Sequence, residues 1–586
     1  YHKPMSKIVL ITLSVVNIFL FLIFLVTQHF PSFAVLVNIL NILLIIAWSI
    51  DIKHTHIFLK KHTLDIFLVI GLFLIAFTVY SYKVDSITPG VQGDEITVAR
   101  ASEHVLSLSD YVPFVEANYG HPTPLFYFTG SSIKLFGRTL FAIRLQSILF
   151  GALSVAAFYI LLRLFFGKTL STITAFMMLF SYPLVVISRL AYEISPSLFF
   201  QIMSLVFLYK SWTTKDIRYY AVLGLSLGAG LYTYVGFRTF LLLIIGLTIF
   251  SFYRHWKYNR NLVKRSIIIF LTTLFIITFP LLAYSLGHGE QIAARTQSLS
   301  PFNQGLPASE VVKELGGATF RLSNIFLSKA NTDHNPNGDP DPRRNPSSIS
   351  MFDIVTFLLF INGFIFLFTK DKKLFLIMAI LSLSPLVNDI FSLERIPEGH
   401  YYGIGHPNTL RIAGIIPIIY FIVAFGLHRI KPFFDEQAKG FYATTLVLTA
   451  SVMIFFNWFS YYGQPFNDFV YTYNGVKMLH VADAFNSASS ETVYMSPSFI
   501  NDDRVKYFTK RTVNIVSYTP KNIDQVLLDS KSKELIIIDA DFDEKLGKAL
   551  WERMKAQPEL LNGRINLLTS PDNKIDAFII SQGQGI

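Results

Sequence analysis

The chain has 586 residues, 52% of them hydrophobic and 15% aromatic, and only 15% are charged, against roughly 25% in an ordinary soluble chain. Its mean hydropathy is +0.47, and it has no cysteine, which excludes disulfides, thiolate nucleophiles and Cys-ligated metals. The net charge of +11 lies in short loops between apolar blocks, so it is a topology signal and not a nucleic-acid footprint.

The blocks run about 17–25 residues, the length that crosses a hydrocarbon core of about 30 Å. They predict about thirteen spans, near 7–28, 32–50, 64–81, 140–165, 169–187, 195–210, 219–235, 239–253, 266–286, 351–369, 373–391, 411–428 and 441–460. The first block, Ile8 to Val26, is followed at once by another, so no cleaved signal peptide is expected. With Lys3 and Lys7 in the cytoplasm, the cytoplasmic loops carry Lys53, Lys60 and Lys61, then Lys168, then Lys215 and Arg218. Those further on carry Arg254 to Arg265, then Lys370 to Lys373, then Arg429 to Lys439. Every such loop is basic, as the positive-inside rule requires.

This alternation puts 82–139, 287–350, 392–410 and everything after 461 outside. The first segment reads as two amphipathic helices, near 94–108 and 123–136, around a turn with Pro113, Gly120, Pro122 and Pro124. The second holds the polar run NPNGDPDPRRNP at 335–346, a loop length that is usually functional or disordered. Beyond 466 the pattern changes. Short strands at 493–496, 514–518, 534–539, 565–570 and 577–581, with helical stretches between, predict a small soluble α/β domain without a Gly-rich phosphate loop.

Charge near a bilayer is costly, about 2.5–3.5 kcal/mol at a helix centre, so charges at the outside ends of spans are informative. In Gln92-Gly93-Asp94-Glu95, Gly93 permits close backbone approach and Asp94 can cap the next helix. The two acids point about 100° apart on a helix, so they have different tasks. A plain cap and a reaction centre both fit these residues. Arg189 and Glu193 are four apart and can pair on a helix, an arrangement equally open to an ordinary interface pair. Arg238, Arg295, His400 and Arg411 stand at other outside ends, suited to a phosphate or to snorkelling toward lipid headgroups. No zinc-protease, P-loop or serine-hydrolase motif competes; His104, near Glu103, has too few neighbouring ligands for zinc, and His121-Pro122 reads as turn chemistry.

Taken in order, these stretches resemble a known family. Asp-Glu opens an outside loop; HPTPLFYF (121–128), LFGRTLFAIRLQS (135–147) and RLFFG (163–167) follow. Then come Arg189 and Glu193, LGLSLGAGLYTYVGFRTFLLL (223–243) and HPNTLRIAGIIPIIYFIVAFGL (406–427). The set is similar to the GT-C-fold glycosyltransferases of the protein O-mannosyltransferase and lipid A aminoarabinose transferase superfamily. The resemblance covers roughly 64–460 and is densest over 90–245. It implies a polytopic α-helical membrane protein of GT-C type: two additional spans in 1–63, a catalytic domain in 64–460, and the α/β domain in 461–586. Glu193 stands where many relatives have Asp.

The resemblance further implies a multi-pass enzyme of the plasma membrane with extracytoplasmic catalytic loops. It moves a sugar from dolichyl or undecaprenyl phosphate to a hydroxyl of a lipid, glycan or protein, with inversion. Asp94 is then the general base, and Glu95 and Glu193 organise the site or hold a divalent metal ion, which clustered arginines can replace. Arg238, helped by Arg189, Arg411, Arg295 and His400, meets the departing phosphate, while Tyr234, His121 and Tyr192 contact substrate. The main rival is a lipid or polysaccharide transporter, which buries ionisable groups midway along spans and often has internal repeats. Here the spans are almost free of charge. An assembly subunit with an inactive site is a third reading, separable by activity alone.

Overall fold

The computed structural model describes residues 15, 16, 19, 32–49, 62–117, 120–303, 305–326, 339–341, 344–392, 406–435, 440–463, 470–471, 475–487, 492–510, 514–517, 534–539, 563–569 and 575–582. The expected span 7–28 lies mainly outside them. From 32–50 onward a helix stands at every expected span. They begin with α1 (Ser32–Ser49) and α2 (Thr63–Ser81). The 82–139 segment then contributes α3 (Gly93–Ser107) and α4 (Pro124–Phe136), with β1 (Phe114–Val115) and β2 (His121–Pro122) between them.

The next spans are α5 (Leu140–Arg163), the pair α6 (Lys168–Leu179) and α7 (Tyr182–Ser188), α8 (Ile194–Thr214), α9 (Ile217–Gly230), α10 (Phe237–Trp256) and α11 (Arg260–Gly287). After the loop helices α12 (Gly289–Leu299) and α13 (Ala308–Arg321) come α14 (Ile354–Lys370), α15 (Lys372–Ile390), α16 (Thr409–Ile412), α17 (Ile415–Asp435) and α18 (Phe441–Trp458). Seven of the described helices are long and apolar enough to cross a membrane, eight if α6 and α7 form one span. The other expected spans are shorter or more polar helices.

The expected straight span 169–187 is a correction. It breaks after Leu179, and α6 and α7 meet at 62°. Pro183 is the cause, since it opens α7 in the first turn, where its missing N–H does no harm, and cannot continue α6. The break turns Arg189 and Tyr192 toward the 82–139 segment.

Helix α5 runs through the middle, packed against α2, α4 and α8. Apolar lipid gives helices no hydrophobic reason to associate, so close approach of small residues does it instead. Gly151, Ala152, Ser154, Ala156 and Ala157 provide that surface, and a Cβ on Gly151 would collide with Ser188. The loop helices α3 and α4 pack in the same way, because a Cβ on Gly130 would stand 2.5 Å from the Ser102 carbonyl oxygen. The turn between them is an antiparallel pair, Phe114 facing Pro122 and Val115 facing His121.

The C-terminal part holds α19 (Val476–Ser487), β3 (Thr492–Met495), α20 (Pro497–Asn501), α21 (Asp503–Phe508), β4 (Asn514–Ser517), β5 (Glu534–Asp539), β6 (Gly563–Thr569) and β7 (Ile575–Gln582). Its strands fall where the sequence places them, in the order β4-β3-β5-β7-β6. The β4, β3 and β5 strands are parallel, and β7 is antiparallel to β5 and β6. This sheet unit leans on the first loop. Arg100 in α3 donates to Asp503 Oδ1 at 2.6 Å, and Arg138 lies over the Tyr507 ring and donates to its carbonyl oxygen.

Candidate active site

Gln92, in extended backbone, is the residue that caps α3, and its own N–H donates to Glu95 Oε2 at 3.1 Å. This corrects the expectation that Asp94 is the cap. Asp94 lies inside the first turn. Gly93 also departs from expectation: no atom of the chain would lie within 4 Å of a Cβ placed there.

Glu95 is fully buried. Its carboxylate takes Arg144 Nε at 2.8 Å and Nη2 at 2.9 Å, and also the Ala191 N–H at 3.0 Å. Arg144 in turn donates to the carbonyls of Val84 and Gly90. Burial alone would raise the Glu95 pKa, but Arg144 and the two backbone N–H groups more than offset it, and the net direction is down. Glu95 thus fastens the first loop to α5 and to the turn after α7.

Asp94 is half-buried and points elsewhere. The Tyr192 hydroxyl donates to Asp94 Oδ2 at 3.2 Å and also reaches Gln92 Oε1. A phenol has one proton, so it serves only one of these at a time. The Tyr192 backbone is fixed in turn by Ser147, which donates to its carbonyl at 3.0 Å.

Arg189 and Glu193 do not pair. Arg189 ends α7 and Glu193 precedes α8, so no helix runs through 189–193 to bring an i,i+4 pair together. Glu193 instead lies 3.3 Å from His121 Nδ1. That contact is not aligned as a hydrogen bond, and Glu193 Oε1 and His121 Nε2 are buried without a hydrogen-bond partner.

Arg189 is fully buried and its N–H groups are taken. They reach the carbonyls of Tyr80 at 2.6 Å, Tyr82 at 2.8 Å, Lys83 at 3.2 Å and Ile87, and the Tyr461 hydroxyl at 3.1 Å. Its guanidinium also packs over the Tyr461 and Tyr462 rings. The phosphate role expected for Arg189 is therefore corrected: its N–H groups are engaged by carbonyls at the end of α2 and in the turn that follows it.

The other expected cations gather around the 231–236 connection. Arg238 donates to the Ile292 carbonyl at 3.2 Å and to Thr296 at 3.3 Å, on the same helix, α12, that carries Arg295. Tyr234 lies in the field of Arg411, Arg295 and Arg344. Burial raises its phenol pKa, and those three charges oppose the rise. Arg411 is buried and donates to the Ser392 carbonyl at 2.7 Å. His400 lies outside the described residues.

Among the described residues, no three His, Asp or Glu side chains group to hold a metal ion. Asp94, Glu95 and Glu193 do not fit that role together, since Arg144 and two backbone N–H groups occupy Glu95.

Three features escaped the sequence reading. One is Arg144, five residues into a spanning helix, where an arginine is costly unless paired. The second is the buried set Asp339, Asp341, Arg344, in which Arg344 grips Asp339 at 2.9 and 3.1 Å and Thr409 N–H donates to Asp339 at 2.6 Å. The third is Asp389, fully buried, 3.2 Å from His406 Nδ1 and accepting from Asn408 N–H at 3.0 Å. The last two fix the start of α16, which carries Arg411. Acidic residues within a Pro-rich loop were the available signal for Asp339 and Asp341.

Residues 120–284 match the family model of dolichyl-phosphate-mannose-protein mannosyltransferase. The matched segment contains His121, Arg144, Arg189, Tyr192, Glu193, Tyr234 and Arg238; Asp94 and Glu95 precede it. The match agrees with the GT-C reading of the motifs.

Among solved structures, the chain is similar to ArnT from Cupriavidus metallidurans in the apo state, with 13% identity and a TM-score of 0.47, covering 89% of this chain and 98% of that one. The same protein bound to undecaprenyl phosphate gives 12% and 0.47 over the same shares. The oligosaccharyltransferase AglB from Archaeoglobus fulgidus, in complex with an inhibitory peptide and a dolichol-phosphate, gives 12% and 0.40 over 90% of this chain and 75% of that one. No curated protein matches the chain.

Proposed function

We propose that the chain is an inverting glycosyltransferase that moves a sugar from dolichyl or undecaprenyl phosphate to a hydroxyl group at the outer face of the plasma membrane. The observation that carries the mechanism is the split between two adjacent acids. Glu95 is fully buried and held by Arg144 and the Ala191 N–H, whereas Asp94 is half-buried and accepts from the Tyr192 hydroxyl.

In this reading the acceptor hydroxyl lies against Asp94, which takes its proton as the oxygen attacks the anomeric carbon. The bond from that carbon to the phosphate oxygen breaks in the same step, so the anomeric centre inverts and no covalent enzyme intermediate forms. Tyr192 keeps the Asp94 carboxylate aimed. Arg238, Arg295 and Arg411, with Tyr234, meet the polyprenyl phosphate as it gains charge. Glu193 and His121 border the sugar. Residues 64–460 form the catalytic unit, 1–63 add two spans, and 461–586 lie outside with the loops. The basic loops on the opposite side support that orientation.

The test uses full-length protein in lipid nanodiscs with a panel of radiolabelled polyprenyl-phosphate sugars. Release of polyprenyl phosphate coupled to sugar transfer is expected, and is lost in Asp94→Asn. Wild-type turnover by that variant rejects the base assignment. No sugar release from any polyprenyl donor rejects the reaction class.

A further inference from the structure

A groove of about 650 Å³ runs between α10 and α11. Helix α10 lines it with Ile245, Ile249 and Trp256, and α11 with Ile267 and Leu271. Thr248 is also on the wall, but its hydroxyl is turned back onto the Ile244 carbonyl at 2.8 Å. Trp256 stands eleven residues beyond Ile245, about 16 Å of helix, and half of a 30 Å hydrocarbon core is about 15 Å. The groove is therefore about one leaflet deep. It lies at the end of α11 away from the first loop, which α11 meets at its other end, where Tyr284 stacks on Phe114.

The charge at the groove mouth is of one sign. Residues 254–265 hold Arg254, Lys257, Arg260, Lys264 and Arg265 and no acid. All five are exposed, and none is in an ion pair among the described residues. Lys215, from the α8–α9 connection, joins Arg254 in the field at His255. Two of the five stand over the groove. At about 100° per residue, Arg260 and Lys264 fall within about 60° of Ile267, on the lining face of α11. Arg254 and Arg265 point away, about 160° from the lining residues Phe252 and Ile267. Trp256 and the exposed Tyr253 mark the headgroup level on the wall itself.

We infer that this groove holds one acyl chain of an anionic phospholipid, with the lipid phosphate against Arg260 and Lys264. The apolar wall fits a hydrocarbon chain and not a water-soluble anion. The two cations fit a negative headgroup and not a neutral one. A depth of one leaflet fits a phospholipid chain and not the longer polyprenyl tail. The site is separate from the sugar-transfer reaction, and neither depends on the other.

The experiment reads occupancy without turnover. Full-length protein in phosphatidylcholine nanodiscs is photolabelled with a trace of phosphatidylglycerol bearing a diazirine on one acyl chain and, in parallel, with the matching phosphatidylcholine. Labelling of residues 245–271 is expected to be about thirtyfold stronger for phosphatidylglycerol, the scale of two cations near a membrane surface. Arg260→Gln combined with Lys264→Gln should remove most of that ratio. Arg254→Gln combined with Arg265→Gln takes the same charge from the far face and should keep it. Ile249→Trp, at a position 60% exposed, fills the groove and should cut both labels. Equal labelling by the two lipids in the wild type overturns the anionic preference. Equal loss in the two double variants reduces the preference to a diffuse field of the basic loop and overturns the headgroup site. Labelling that persists in Ile249→Trp places the chain elsewhere. Displacement of the phosphatidylglycerol by an equimolar amount of undecaprenyl phosphate assigns the groove to the sugar carrier and rejects the inference.

Discussion

Glu95 and Arg144 form a two-pronged ion pair, Nε to Oε1 at 2.8 Å and Nη2 to Oε2 at 2.9 Å, with no more than 1% of either side chain exposed. The pair joins α3 to α5, while the neighbouring acid, Asp94, meets the Tyr192 hydroxyl instead. It also sets the first prediction.

Removing one partner leaves the other charge buried and alone, which costs about 3–5 kcal/mol. Arg144→Ala and Glu95→Ala should therefore lower the melting temperature in detergent markedly, with loss of extractable folded protein. The double variant Glu95→Leu with Arg144→Met should recover part of that loss. An unchanged melting midpoint in Arg144→Ala would mean the pair does not hold the loop.

The same pair has a pH signature. The folded pKa of Glu95 is lowered, so the unfolded chain binds more protons in acid. Its contribution to stability is complete above the ordinary glutamate value of about 4.3 and is lost as pH falls below it, through the lowered folded value. Wild-type melting temperature should drop across that window more steeply than that of Glu95→Gln. Parallel curves would contradict the assignment.

Asp94→Asn should behave in the opposite way to the Glu95 variants. The side chain is half-buried and Asn keeps its shape, so the melting temperature should stay close to wild type. Turnover should fall by about 10²–10⁴, the usual contribution of a general base. Tyr192→Phe should reduce turnover less, since it removes the aiming contact and not the base. The check is a comparison of kcat and melting temperature for each variant.

Two arginines separate structure from donor binding. Arg189→Ala should destabilise the protein, because it strips partners from the carbonyls of Tyr80, Tyr82, Lys83 and Ile87; in whatever folds, the KM for donor should be unchanged. Arg238→Ala should raise the KM for the polyprenyl-phosphate sugar about tenfold, the scale of one charge-assisted hydrogen bond, with little change in melting temperature. If Arg189→Ala instead raises donor KM in stable protein, the carbonyl-gathering role fails.

The sequence by itself determined where the apolar helices lie, the five strands and the ordered motifs. Each is a local property: apolar length sets a span, and alternation sets a strand, so ELIIID reads directly as Glu534–Asp539. It also determined that Asp94 and Glu95 diverge, because 3.6 residues per turn fixes their angle. Only the tertiary structure decided which acid is consumed. Glu95 is taken by Arg144, 49 residues away, and by the Ala191 N–H, 96 away, and no local pattern encodes such partners. Arg189 and Glu193 show the same limit. Their spacing implies a pair only if a helix joins them, and the chain is not helical between Ser188 and Ile194, so one reaches the end of α2 and the other His121. What the fold added was the partner of each charge, and that partner decides whether a charged side chain is a brace or remains available to a substrate.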